Sequence, residues 1–172
     1  MEALADISLQ SSDLLGAGRW TAVCLAVGVI TSDKLANMNA LRRLAAICDI
    51  GGDQDTALSL LCVTLEGFKF MGVHRRIAEC MVHMAEIWES REDFQLATQL
   101  LEAARPEFER ATQVDKAAGI VEKLKSLRES LEEKEIALTE GKLKSLPSMG
   151  TTKLVVSSKA VERRVENLAL TL

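Results

Sequence analysis

The 172 residues are 48% apolar but only 3% aromatic, without a single tyrosine, and alanine and leucine carry most of the apolar content. That balance favours helix on intrinsic propensity, and the two prolines, Pro106 and Pro147, leave most of the chain free to be helical. A net charge of -4 with both signs interspersed offers no broad basic field, so a nucleic-acid footprint is not expected.

The first segment, Met1 to Asp6, is acidic and lacks the basic start of a signal peptide. From Thr21 to Ile30 the chain is apolar all round, but about ten residues fall well short of the roughly 20 that span a bilayer. This stretch reads as a buried core helix. Just before it, Gly18-Arg19-Trp20 reads as the turn of a degenerate hairpin over 1–34, with Val23, Val27 and Ile30 on its second helix. The four cysteines, Cys24, Cys48, Cys62 and Cys80, form no CxxC pair and sit among apolar neighbours, where a thiol behaves as a small hydrophobe. Free thiols point to a reducing compartment, and the chain is expected to be cytoplasmic.

From Leu41 onward a helical hairpin is legible. Leu41, Leu44, Ala45 and Cys48 mark one helix face. Gly51-Gly52 then breaks the helix and Asp53 is placed to cap the next one. Ala57, Leu60, Leu61, Thr64, Leu65 and Phe68 form the second face. The same pattern returns 40 positions later in Met81, Met84, Ala85 and Trp88, then Asp93, then Ala97, Leu101 and Ala104. Helix pairs at a fixed period form a solenoid, with units over 37–72 and 77–112.

Pro106 follows Ala104, the last small position of that second helix, so it is expected to kink or end the helix and hinge the chain toward Ala117. Beyond it Ala117, Ile120, Leu124, Leu127, Leu131 and Leu138 recur in steps of three and four, apart from one longer step. The stripe reads as a capping helix over 114–138 or as a coiled-coil seam; about three heptads is short for an independent coiled coil and favours the cap. Residues 139–172 read as a linker and weakly structured tail.

The paired units resemble the tetratricopeptide repeat, through Leu41, Leu44, Ala45, Cys48, Gly52-Asp53, Ala57 and Leu61, and again through Met81, Met84, Ala85, Trp88, Asp93-Phe94, Ala97 and Leu101. Gln54 and Glu92 depart from the family's turn, and the period exceeds the usual ~34 residues, as it does in kinesin light chains. The resemblance implies an all-α, right-handed superhelical stack of hairpins with a C-terminal capping helix. More specifically, Leu65-Glu66-Gly67-Phe68-Lys69-Phe70-Met71, Val73-His74-Arg75-Arg76, Ala78-Glu79-Cys80-Met81 and Ala103 to Arg110 occur in that order. This combination looks like the C-terminal repeat regions of tetratricopeptide proteins in mushroom-forming fungi, which often follow NACHT or NB-ARC modules. An anaphase-promoting-complex subunit looks similar to a lesser degree. Gly16-Ala17-Gly18 leads into Arg19-Trp20 and not into a phosphate-loop lysine. The implied role is a non-catalytic scaffold that binds proteins.

The family's groove positions project onto Asn39, Arg42, Ala46 and Asp49, then onto Glu79, Val82, Glu86 and Glu89. The second set is acidic, so the expected partner is a basic or apolar protein or peptide. Ala46 and His83 stand where chaperone-tail clamps carry asparagine, which argues against that ligand. His74 and His83 are the two histidines, and His83 lies three residues from Cys80 without a second pair to complete a metal site. No orienting group supports a Cys80–His83 nucleophile. No catalytic residue, cofactor, metal, nucleic acid or membrane partner is expected. The chain is expected to be a monomer, with assembly through the Ile120–Leu138 stripe as the alternative.

Overall fold

A computed structural model describes residues 2–11 and 13–144. These form seven α-helices and no strand: α1 (Glu2–Gln10), α2 (Leu14–Ile30), α3 (Lys34–Ile50), α4 (Gln54–Met71), α5 (His74–Ser90), α6 (Phe94–Arg110) and α7 (Val114–Lys144). A first compact unit ends at Glu135. The second begins at Ile136, and its described part is the helical run to Lys144. Residues 139–144, expected to belong to a linker, are thus helical, and the rest of the expected tail, 145–172, lies outside the described residues.

The repeat is stricter than the two units read from the sequence. Helices begin at Leu14, Gln54 and Phe94, and at Lys34, His74 and Val114, so each series advances by 40 residues. The turns advance by half that. Ser32, Gly52, Gly72, Glu92 and Thr112 all have positive φ. Behind each, the next residue's N–H reaches back to close the preceding helix: Asp33 to the Gly28 carbonyl, Asp53 to Cys48, Val73 to Phe68, Asp93 to Trp88 and Gln113 to Phe108, at 2.8–3.0 Å. This is the Schellman closure, which needs one left-handed residue just past the helix. The same chain position then starts the next helix. The carboxylates of Asp13, Asp33, Asp53 and Asp93 accept from the backbone N–H of Gly16, Ala36, Thr56 and Leu96.

Only two of these left-handed positions carry glycine, and Thr112 is β-branched, for which φ of +57° is strained. Thr112→Gly is therefore expected to stabilise the first unit by about 1 kcal/mol. Thermal unfolding checks this. An unchanged or lower Tm would show that the turn carries no such strain.

Alanine sets how closely the helices approach. Ala5, Ala45 and Ala85 recur on α1, α3 and α5, and Ala17, Ala57 and Ala97 on α2, α4 and α6; all six are fully buried. Larger side chains fill the wedges between hairpins. Leu61, Leu65, Phe68, Ile77, Cys80 and Ile87 form one cluster, and Leu101, Ala104, Phe108, Ala117, Ile120, Leu124 and Leu127 belong to the next. The result is an all-α stack of helical hairpins.

Three expectations need correction. Gly18-Arg19-Trp20 is not a turn, because it lies inside α2, which begins earlier, at Leu14, behind its cap Asp13. Thr21–Ile30 is not a buried helix either, since its inward face is the small set Ala17, Thr21, Cys24 and Gly28 while Val23, Val27 and Ile30 are exposed. Pro106 does not end α6, which continues to Arg110. It sits on the exposed side, where the Glu102 carbonyl that loses its helix donor can meet water.

Candidate functional site

Helices α3, α5 and α7, whose starts advance by 40 residues, flank a cavity of about 550 Å³. Its apolar lining comes from Val82 on α5, Leu101 and Phe108 on α6, and Ile120 on α7. Gly119 supplies a gap, since a Cβ there would meet nothing within 4 Å. The polar lining is Arg42, Glu79, His83, Glu86, Lys116 and Lys123.

The charges are already largely paired across the stack. Glu79 accepts from Arg75 at 3.0 Å, Arg76 at 2.6 Å and Lys116 at 3.1 Å. Burial works to raise the Glu79 pKa, but these three cationic donors outweigh it and hold the carboxyl down at about 2. Lys123 reaches Glu86 at 3.0 Å and Glu89 at 3.5 Å. His83 Nε2 lies 2.9 Å from Asp49 Oδ2. Arg42 is the exception: its Nε is buried with no hydrogen-bond partner among the described residues. Burial and then the neighbouring Arg76 charge lower its pKa.

Several of these cross-helix pairs share one separation. Asp6–Arg43, Glu79–Lys116 and Glu86–Lys123 are each 37 residues apart, three short of the full period. The offset follows from neighbouring helices of the stack lying side by side, with the reach of a lysine or arginine spanning the gap. Each such pair ties one hairpin to the next.

Of the residues projected from the sequence, Arg42, Glu79, Val82 and Glu86 line the cavity. Glu89 joins its edge through Lys123, and Asp49 through His83. Asn39 is displaced from the group: it is only 8% exposed and belongs to the buried side of α3. Sequence reasoning missed Leu101, Phe108, Lys116, Gly119 and Lys123, because it drew the groove from the first helix of each unit and treated α7 as a lid. The 40-residue register would have revealed it, since Ala117, Ile120, Leu124 and Leu127 repeat Ile77, Cys80, Met84 and Ile87.

Cys80 and His83 are not a reactive pair. Cys80 is fully buried with its Sγ 3.6 Å from Thr64 Oγ1, burial pushes its thiol pKa up, and His83 is engaged by Asp49. Among the described residues no three His, Cys, Asp or Glu side chains are grouped to hold a metal ion. No helix among them is long and apolar enough to cross a membrane.

No family model matches the chain, and no curated protein matches it. Among solved structures it is similar to BtubC (BKLC) from P. vanneervenii, with 15% identity and a TM-score of 0.53 over 90% of this chain and 68% of that one. At that identity the likeness concerns the fold, a helical-repeat stack.

Proposed function

We propose that this chain is a tetratricopeptide-type protein-interaction module without catalytic activity, whose α3–α5–α7 groove holds a segment of a partner protein. The observation that carries the reading is the preformed cavity itself: an apolar floor of Val82, Phe108 and Ile120 open at Gly119, rimmed by charged side chains that are largely paired with one another. The repeat pattern that resembles the mushroom tetratricopeptide regions supports the same role.

The partner's chemistry follows from the charge pairing. An acidic groove would select a basic segment, but Lys116 and Lys123 already neutralise Glu79, Glu86 and Glu89 from within the chain. Around Glu79 stand three paired cations against one carboxylate, with Arg42 beside them. The segment that fits best places apolar side chains on the floor and one acidic group against Arg42.

Selection of peptides from a random displayed library on the purified protein tests this. Enriched peptides are expected to combine apolar residues with an acidic one, and Arg42→Met is expected to weaken them about tenfold, the ~1.4 kcal/mol of one charge-assisted hydrogen bond. Enrichment of basic peptides indifferent to Arg42→Met would refute the assignment.

A further inference from the structure

The outward face of α2 is unlike those of the helices that repeat it. Leu15, Trp20, Val23, Val27, Val29 and Ile30 are all exposed, Ile30 at 82% and Leu15 at 77%. Ala22 and Ala26 are exposed between them, and Arg19 is the one charged residue of the helix. At the same register α4 carries Asp55, Leu60, Val63, Gly67, Lys69 and Phe70, and α6 carries Gln95, Leu100, Ala103, Glu107, Glu109 and Arg110. The outer surface thus changes from apolar to charged along the stack. A helix that is apolar all round is normally covered on every side.

Another hairpin stacked before α1 would not cover this face. Helix α4 has helical neighbours on both sides, α3 and α5, yet Val63 and Phe70 remain exposed at the equivalent positions. The cover must come from outside the stack. Eight exposed apolar side chains side by side on one helix make a contiguous patch of the kind that marks an interaction surface, since monomers usually leave only a few hundred Å² of such surface contiguous.

We propose that α2 is the contact of a two-fold homodimer, packing antiparallel on α2 of a second copy. Three features favour a second copy. A two-fold contact uses one patch twice, so an apolar patch is matched by itself. Val23 and Val27 stand beside Ala22 and Ala26, giving both ridges and hollows for a helix of the same sequence. The antiparallel arrangement also brings Arg19, which has no ion pair among the described residues, to the partner's α2 C-terminus. That end has no basic residue in its last turn and is followed by Asp33. A cation there meets the carbonyl end of the helix dipole.

Membrane contact is the competing cover, but an interfacial helix carries lysine or arginine along its polar face, whereas α2 has Arg19 alone on a chain of net charge -4.

Sedimentation velocity across a dilution series tests the dimer. Wild-type protein is expected to sediment at twice its 18.8 kDa mass, and Val27→Glu and Arg19→Glu each to raise the dimer Kd at least tenfold with unchanged helical circular dichroism. Val63→Glu on α4 is expected to leave the dimer intact. A wild-type chain that stays monomeric at all concentrations would overturn the proposal, whether or not it binds lipid vesicles, and so would a dimer that tolerates both α2 variants.

Discussion

Phe68→Ala is expected to remove about 3–5 kcal/mol of stability, the range for deleting a buried aromatic ring from a core that relaxes only in part. Phe68 is fully buried at the centre of the cluster that joins α4 to α5, among Leu61, Leu65, Ile77 and Ile87. In a linear stack each hairpin contacts only its neighbours, so such a loss weakens one junction and leaves the others standing. The register sharpens the expectation. The equivalent positions are Phe108 toward α7 and Gly28 in the first hairpin, so the first junction already lacks a ring. With the second junction emptied, α5–α7 should unfold apart from α1–α4. Urea titration followed by circular dichroism is expected to show a broadened or two-step transition. A single transition shifted by less than about 1 kcal/mol would mean that Phe68 does not hold the junction.

The second large effect is electrostatic. Glu79 has a side chain only 15% exposed and receives Arg75, Arg76 and Lys116, two of them from α5 and one from α7. Its pKa falls from an ordinary 4.5 to about 2. Between those values the unfolded chain binds a proton that the folded chain does not, so stability rises with pH across that window. The contribution is complete above about pH 4.5 and is lost as pH falls toward 2. A shift of this size corresponds to at most about 3 kcal/mol, and the half-exposed Arg75 and Lys116 reduce it toward 2. Glu79→Gln should therefore destabilise the protein by about 2–3 kcal/mol at neutral pH. The difference between variant and wild type should shrink as pH falls below 4.5. A difference that stays constant down to pH 2 would show that the loss is one of packing and not of charge.

The middle of this fold was legible because its constraints are written in residue types. Asp53 and Asp93 cap, Gly52 turns, and Ala57 and Ala97 let helices touch; each of these roles admits few side chains. The first hairpin, over 1–34, was read with its turn in the wrong place because the apolar run of α2 leaves little period to read, while Gly18 beside Trp20 imitates a turn. The true register was nevertheless present in Asp13 and Ala17, 40 residues before Asp53 and Ala57. The end of the stack was misjudged for the opposite reason. At the place where α7 would turn, the chain reads Leu131-Glu132-Glu133, so Glu133 stands where Asp53 and Asp93 cap a following helix, and the helix runs on.

The groove was legible in half. The first-helix positions Arg42, Glu79, Val82 and Glu86 could be projected, but their charge could not. An acidic row on one helix says nothing of the lysines that a neighbouring helix sets against it. Lys116 and Lys123 became visible as partners only once the 37-residue spacing of the cross-helix pairs was known. That change of sign at the inner end of the groove separates the two readings of the partner.

Gly119→Leu gives the most direct test of the groove. The position is open and lies on an ordinary helix, so the leucine should enter the cavity without displacing any neighbour, and the loss of a helical glycine should raise stability by up to about 1 kcal/mol. Calorimetric titration with a library-selected peptide is expected to show tight binding to the wild type and at least a tenfold loss in the variant, with Tm equal or higher. Undiminished binding by a variant of unchanged Tm would contradict a partner site between α3, α5 and α7.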